Sequence, residues 1–173
     1  MLSFPTREII AGAIQVEGEL SRDDPIWMAS DQRPAGPVQV TGRLSPAGPG
    51  RFYFSGRLQG ETVIECRRCL AEVRMAIDDE AHYVYGDAAH GGADEADTFA
   101  LSRGRGGDEV DLRAAVREQW LLDTPTLALC RPDCRGLCPT CGADLNAGAH
   151  ECRAAAPDPR REKLRSLGTS SRR

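Results

Sequence analysis

Lysine is almost missing from this chain. Of its 22 basic residues 21 are arginine, and Lys163 is the only lysine. Arginine richness is thus a habit of the whole sequence and by itself says nothing about nucleic acid. Aromatic residues are scarce, at 5%, which predicts a modest, mainly aliphatic core. No apolar run approaches the roughly 20 residues that a membrane-spanning helix needs, so a soluble protein is expected. The first residues, Met-Leu-Ser-Phe-Pro-Thr-Arg-Glu, lack the apolar centre of a secretory signal. A length of 173 residues fits one domain with an appendage.

What the chain does have is cysteine in one place. Five of its seven cysteines fall between Cys130 and Cys152, spaced Cys-x3-Cys-x3-Cys-x2-Cys and then a last cysteine two residues after His150. Cys138-Pro139-Thr140-Cys141-Gly142 has the build of a zinc knuckle. Two thiolates separated by two residues turn toward one point, and the glycine lets the backbone curl around them. A structural zinc site takes four such ligands at about 2.3 Å. Cys130 and Cys134 are the nearest second pair, with Cys152 and His150 in reserve. Disulfides would need an oxidising compartment. An odd total of seven cysteines and the absent signal instead predict a reducing, cytoplasmic setting. A catalytic zinc would keep an open position for water beside a general base. His150, Glu151 and Asp144 are in the window for that reading, but so much thiolate favours a closed structural site. Cys66 and Cys69 form a second Cys-x2-Cys at a turn between two strands. Without a nearby second pair they read as thiols capping that turn, unless the fold brings the C-terminal cysteines to them.

The net charge of −4 is unevenly spread. Residues 153–173 carry seven basic and two acidic residues, a basic C-terminal tail on an acidic body. Such asymmetry points to nucleic-acid contact, with a solvated, disordered tail as the plain alternative. In chain order, residues 8–20 alternate moderately and fit one strand after an irregular start. Residues 21–37, with Pro25, Pro34 and Pro37, read as a loop. Val38–Leu44 and Arg51–Leu58 alternate with period two. Gln59-Gly60-Glu61 reads as a turn into Thr62–Cys66, and Ala71–Tyr85 forms the next strand. Residues 87–107 form an acidic, Gly-rich stretch expected to be a flexible loop. One helix is expected within Asp108–Asp123, capped by Asp111 and ended at Thr124-Pro125. The fold class is therefore α+β, an antiparallel β-meander or barrel-like sheet packed by one helix. It divides into a β-rich domain at 8–129, a Cys-rich zinc-knuckle module at 130–152 and the basic tail at 153–173.

Several of these blocks occur together in one known family. They are Cys66-Arg67-Arg68-Cys69-Leu70, the helix entered by Val110-Asp111-Leu112 and left by Pro125, the run from Cys134 through Gly136-Leu137-Cys138-Pro139-Thr140-Cys141-Gly142 to Asn146, and Asp158-Pro159-Arg160 with Leu164 and Leu167. In this order they resemble the YceD family of large ribosomal RNA subunit accumulation proteins, over roughly residues 10–168. The resemblance implies a non-enzymatic factor in 23S ribosomal RNA accumulation or large-subunit biogenesis. Ribosomal RNA or a large-subunit ribosomal protein would be its partner, with no membrane and no small-molecule substrate. Some members lack the C-terminal cysteines, which implies that the metal stabilises the fold and performs no family-wide chemistry. Many others end the cluster with Cys-x-Cys, where this chain has His150 in the first of those positions. If RNA is bound, Arg131, Arg135, Arg153, Arg160, Arg161, Lys163 and Arg165 are the candidate phosphate contacts, since they lie on or just after the cysteine module. A protein-interaction adaptor unrelated to RNA and a metal-dependent hydrolase are the alternatives.

Overall fold

A computed structural model describes residues 2–86, 98–104 and 106–152. Strand β1 (Ser3–Pro5) runs into a short helix α1 (Thr6–Ala11). Then come β2 (Ile14–Leu20), β3 (Val38–Gly48), β4 (Arg51–Glu65) and β5 (Glu72–Gly86). After them follow β6 (Thr98–Ala100), β7 (Ser102–Gly104), β8 (Gly107–Asp111) and helix α2 (Arg113–Asp123).

Strands β2 to β5 form an antiparallel meander, and β6 adds to β5 in parallel to complete a five-stranded sheet in the order β2-β3-β4-β5-β6. A smaller sheet has the order β1-β8-β7. Neither sheet closes, so the barrel-like expectation gives way to an open, one-sided sheet. Period-two alternation explains the packing. Val16, Leu20, Val38, Val40, Leu44, Phe54 and Leu58 are buried, while Glu17, Gln39, Thr41, Arg43 and Arg57 between them face solvent. On α2 the helical spacing of Ala115, Val116 and Trp120 supplies the face that covers this sheet, and Ile9 of α1 and Val110 of β8 extend the same core.

Four expectations change. Residues 8–20 split into helix and strand, because α1 packs Ile9 into the core before the alternation starts at Ile14. Gln59-Gly60-Glu61 is not a turn: β4 runs unbroken for 15 residues against β5. Gly60 serves packing instead, since a Cβ there would lie 2.8 Å from the Trp120 ring. The helix expected within 108–123 is shorter. Asp111 ends β8 and lies one residue outside the N-cap position, although its Oδ1 still accepts a 3.0 Å hydrogen bond from the Arg113 backbone N–H. The expected loop at 87–107 contains β6, β7 and the start of β8. Its residues 87–97 and 105 lie outside the described residues, as does the tail at 153–173.

The segment at 21–37 is irregular but anchored. Trp27 is buried, and its Nε1 donates to the Ser21 carbonyl at 2.8 Å. Asp31 takes a bidentate pair of hydrogen bonds from Arg117 of α2 at 2.6 and 2.9 Å, and Trp120 Nε1 donates to the Gln32 carbonyl at 3.0 Å. Both helix contacts fix α2, and with it the chain leaving toward Cys130.

Candidate metal centres

The β4–β5 turn is the starting point. Cys66 follows directly on β4, and its backbone N–H donates to the Ala71 carbonyl at 2.8 Å, while the Leu70 N–H donates back to the Cys66 carbonyl at 2.9 Å. Cys138 repeats the pattern, with its N–H on Ala143 at 2.8 Å and the Gly142 N–H on the Cys138 carbonyl at 2.9 Å. Both turns need a left-handed residue after the second cysteine. Gly142 supplies it at φ 77°, and Leu70 adopts it at φ 61°, against the usual preference of a side-chain-bearing residue. The two Cys-x2-Cys turns are thus the same knuckle built twice.

Each knuckle meets a second pair. The chain after α2 runs beside the first turn, where Cys66 and Ala128 form a parallel bridge and the Arg67 N–H donates to the Ala128 carbonyl at 2.9 Å. That delivers Cys130 and Cys134 to Cys66 and Cys69. The second knuckle receives His150 and Cys152 from its own C-terminal continuation. In both quartets one ligand atom from each residue lies within 4.8 Å of all the others. Two cross-links hold the module to the body: the Leu137 N–H donates to the Arg68 carbonyl at 3.0 Å, and Arg68 Nη1 donates to the Cys134 carbonyl at 2.7 Å.

The expected set of Cys130, Cys134, Cys138 and Cys141 is therefore divided between two centres. Cys130 and Cys134 join Cys66 and Cys69, and the reserve ligands His150 and Cys152 join Cys138 and Cys141. For Cys66 and Cys69 the fold does bring C-terminal cysteines alongside, the condition under which they are more than a turn-capping pair. Their signal in the sequence was the Cys-x2-Cys itself. What the sequence left unstated was the neighbour, because residues 66 and 134 are 68 positions apart.

The donor geometry fits a tetrahedral ion. Four thiolates at about 2.3 Å from zinc stand about 3.8 Å from one another. The Cys66–Cys134 sulfurs are 3.8 Å apart and the Cys69–Cys130 sulfurs 3.6 Å. In the second quartet Cys141 Sγ lies 3.2 Å from His150 Nε2. A disulfide would bring sulfurs to about 2.0 Å, and no disulfide joins any of the seven cysteines. Asn146 braces the first centre. Its Nδ2 donates to Cys134 Sγ at 3.5 Å, and its Oδ1 accepts from the Arg131 side chain at 2.9 Å and from the Arg135 backbone at 2.8 Å.

Charge within the quartets is divided in a telling way. The Cys66 thiol is pulled down to about 6 by the backbone N–H of Cys130, then by those of Arg68 and Cys69. Cys138 is likewise pulled down to about 6 by the N–H groups of Thr140 and Cys141. Cys130, by contrast, is pushed up to about 12 by its contact with the Cys69 thiol and by burial. Cys152 is pushed up to about 11 by Cys141 and by burial. Several thiolates cannot ionise side by side in such volumes without a cation to offset them. A divalent ion is what would let all of them do so.

Of the candidate RNA contacts, Arg131 and Arg135 are exposed beside the first quartet. Arg67 and Arg68, which sequence reasoning passed over, join them there. Arg153, Arg160, Arg161, Lys163 and Arg165 lie outside the described residues.

An open β-sheet carrying two cysteine-rich quartets, each able to hold a metal ion, defines the class of protein. Comparison then places it. The family model described as "Large ribosomal RNA subunit accumulation protein YceD" matches residues 54–168, and the chain belongs to the YceD family. The matched span includes most of β4 and everything that builds both quartets. The chain is 37% identical over 113 residues to an uncharacterised protein of Mycobacterium bovis, an overlap that covers 64% of this chain and 52% of that relative. The same figures hold for an uncharacterised protein of Mycobacterium tuberculosis. This chain thus spans about half the length of those relatives. A shorter stretch of 38 residues is 45% identical to the chloroplastic "Large ribosomal RNA subunit accumulation protein YCED homolog 1" of Zea mays, covering 22% of this chain and 13% of the maize protein. No solved structure matches the chain significantly.

Proposed function

We propose that this chain is a non-enzymatic, zinc-stabilised factor that supports accumulation of the large-subunit ribosomal RNA in the cytoplasm, through contact with that RNA or a ribosomal protein. The observation that carries the structural part is the pair of quartets. Each offers four protein ligands, so a tetrahedral ion held by all four has no position left for a reacting water. Such a donor set suits a structural metal and argues for a binding role over hydrolysis. The family's name supplies the link to ribosomal RNA.

The RNA-facing surface, on this reading, is centred on the first metal. Arg67, Arg131 and Arg135 are exposed around it and suit phosphate oxygens. Part of their charge offsets the metal centre itself, because four thiolates and one divalent ion sum to −2. The contact is therefore weak unless the tail at 153–173 contributes. Elemental analysis of the full chain should give two zinc ions per molecule. Cells depleted of the chain should show a fall in large-subunit relative to small-subunit ribosomal RNA. The wild-type chain should restore it, and a Cys66→Ser/Cys69→Ser variant should not. An unchanged RNA ratio on depletion would overturn the functional part, and a metal-free protein with all seven thiols reactive would overturn the structural one.

A further inference from the structure

Strand β5, at 15 residues, is five times as long as the three-residue strand that covers its other edge. Along β4 it is paired from Glu72 to Gly86. On the other edge β6 pairs only with Val84, Tyr85 and Gly86. Among the described residues no strand pairs with that edge over residues 72–83. The direction of the backbone groups follows from alternation. The Gly86 carbonyl faces β6, since it accepts from the Leu101 N–H at 3.4 Å. The even-numbered residues of β5 therefore turn their N–H and C=O groups to the open edge. Glu80 confirms the direction: its N–H is bonded to Asp79 Oδ1 at 2.8 Å, where a neighbouring strand's carbonyl would otherwise stand.

This edge borders a groove. A cavity of about 530 Å³ opens between the end of β5, β6 and α2, lined by His82, Tyr83, Phe99, Glu118, Gln119 and Leu122 among others. Its volume is in the range of ligand pockets. Leu122 is 73% exposed at its rim, while Tyr83 is 4% exposed and its hydroxyl has no hydrogen-bond partner among the described residues. The surroundings are acidic. Asp123, at the end of α2, receives Gln119 Nε2 on Oδ1 at 2.8 Å, but its buried Oδ2 has no partner among the described residues. Burial, and after it the nearby Asp79, holds the Asp123 carboxyl above its ordinary range. A cationic side chain entering here would satisfy that oxygen and offset Asp79 and Glu118 as well.

We propose that the open β5 edge beside α2 is a docking site for an extended, basic segment of a partner protein, which adds to the sheet as a strand next to β5. Main-chain hydrogen bonds to Arg74, Ala76, Asp78 and His82 would hold it. One apolar side chain would enter the groove against Tyr83 and Phe99, and an Arg or Lys would reach Asp123. Strand addition of this kind takes affinity from the backbone and specificity from alternate side chains. The acidic residues suit it in charge. The site is independent of both metal centres, so it stands or falls apart from the function proposed above.

The test uses the full-length chain and a synthetic ten-residue peptide of alternating valine and arginine, with a glutamate-for-arginine peptide as control. In the unliganded protein the amides of Ala76, Asp78 and His82 should exchange with solvent much faster than those of Ile77 and Ala81, which face β4. Adding the basic peptide should slow the exposed set at least tenfold, and the acidic peptide should not. Glu118→Lys should weaken binding at least tenfold. Ala76→Pro removes an outward N–H without touching the β4 ladder, and should abolish binding at an unchanged melting temperature. Four results would each overturn the proposal. They are no binding, equal binding of both peptides, protection of the even-numbered amides before any peptide is added, or concentration-dependent self-association through them.

Discussion

At the scale of single residues, Asp31 does more than its place in an irregular segment suggests. Its side chain is 5% exposed and is held by two Arg117 nitrogens and by the Met28 backbone N–H at 2.8 Å. The Arg117 hydrogen bonds keep its carboxyl below the ordinary value of 3.8. A carboxyl that titrates lower in the folded chain than in the unfolded one stabilises fully above about pH 4. That stabilisation fades as pH falls through the folded value. Asp31→Asn should therefore cost about 1–3 kcal/mol at neutral pH, the scale of hydrogen bonds to charged groups. The difference from wild type should shrink as the buffer is taken below pH 4, which urea melts across that range would measure. Charge-neutral substitution at Asp23, which is exposed, should show neither effect.

At the scale of elements, β4 and α2 are fitted to each other at one point. The absent side chain of Gly60 leaves room for the edge of Trp120, and the ring then closes the core between sheet and helix. Gly60→Ala should displace that ring and destabilise the protein by about 1–3 kcal/mol, as overpacked cores do. The change should be visible in the near-ultraviolet circular dichroism and in a lower midpoint of thermal unfolding. The same residue shows what a sequence conceals. The strand patterns at Val38–Leu44, Arg51–Leu58 and Ala71–Tyr85 were legible because one face of each is buried and the other wet. Gly60 read as a turn because glycine signals both reversal and close approach, and only the partner, 60 residues later, decides between them. Asp111 read as a cap for a similar reason: its side chain does bond the helix start, but its backbone still belongs to β8. The knuckle at Cys138 and Cys141 was legible from its Cys-x2-Cys spacing, whereas the same spacing at Cys66 and Cys69 read as a turn-capping pair for want of a neighbouring second pair. The membership of the quartets was not legible, because spacing reports neighbours along the chain and the first quartet joins two segments about 60 positions apart.

At the scale of the whole molecule, the two centres differ in what they join. The second lies within residues 138–152 and organises only its own module. The first ties the β4–β5 turn to the segment after α2, with Cys69 and Cys130 separated by 61 positions. A metal there would close a long loop. By the loop-closure reasoning used for disulfides, that contributes about 4 kcal/mol, subject to the competing affinity of unfolded thiols for the ion. Cys66→Ser should lower the metal content from two ions to one, lower the melting temperature of the sheet domain and admit proteases between Asp123 and Cys130. Cys138→Ser should lose one ion as well, yet leave the sheet domain's melting nearly unchanged. Elemental analysis beside limited proteolysis would separate the two. Equal destabilisation by both variants would contradict the division of labour.

The distance between Cys66 and Cys134 also sets an order of events. A chain grows from its N-terminus, so the first knuckle emerges with only two ligands and must wait. Nothing can complete it until β5, β8 and α2 have been made and residues 130–134 have been brought back to the β4–β5 turn. The second quartet, confined to 15 consecutive positions, can fill as soon as it is made. Metal capture at the first centre would thus be a late step in synthesis, and an ion seated there would record that the intervening chain had reached its native arrangement.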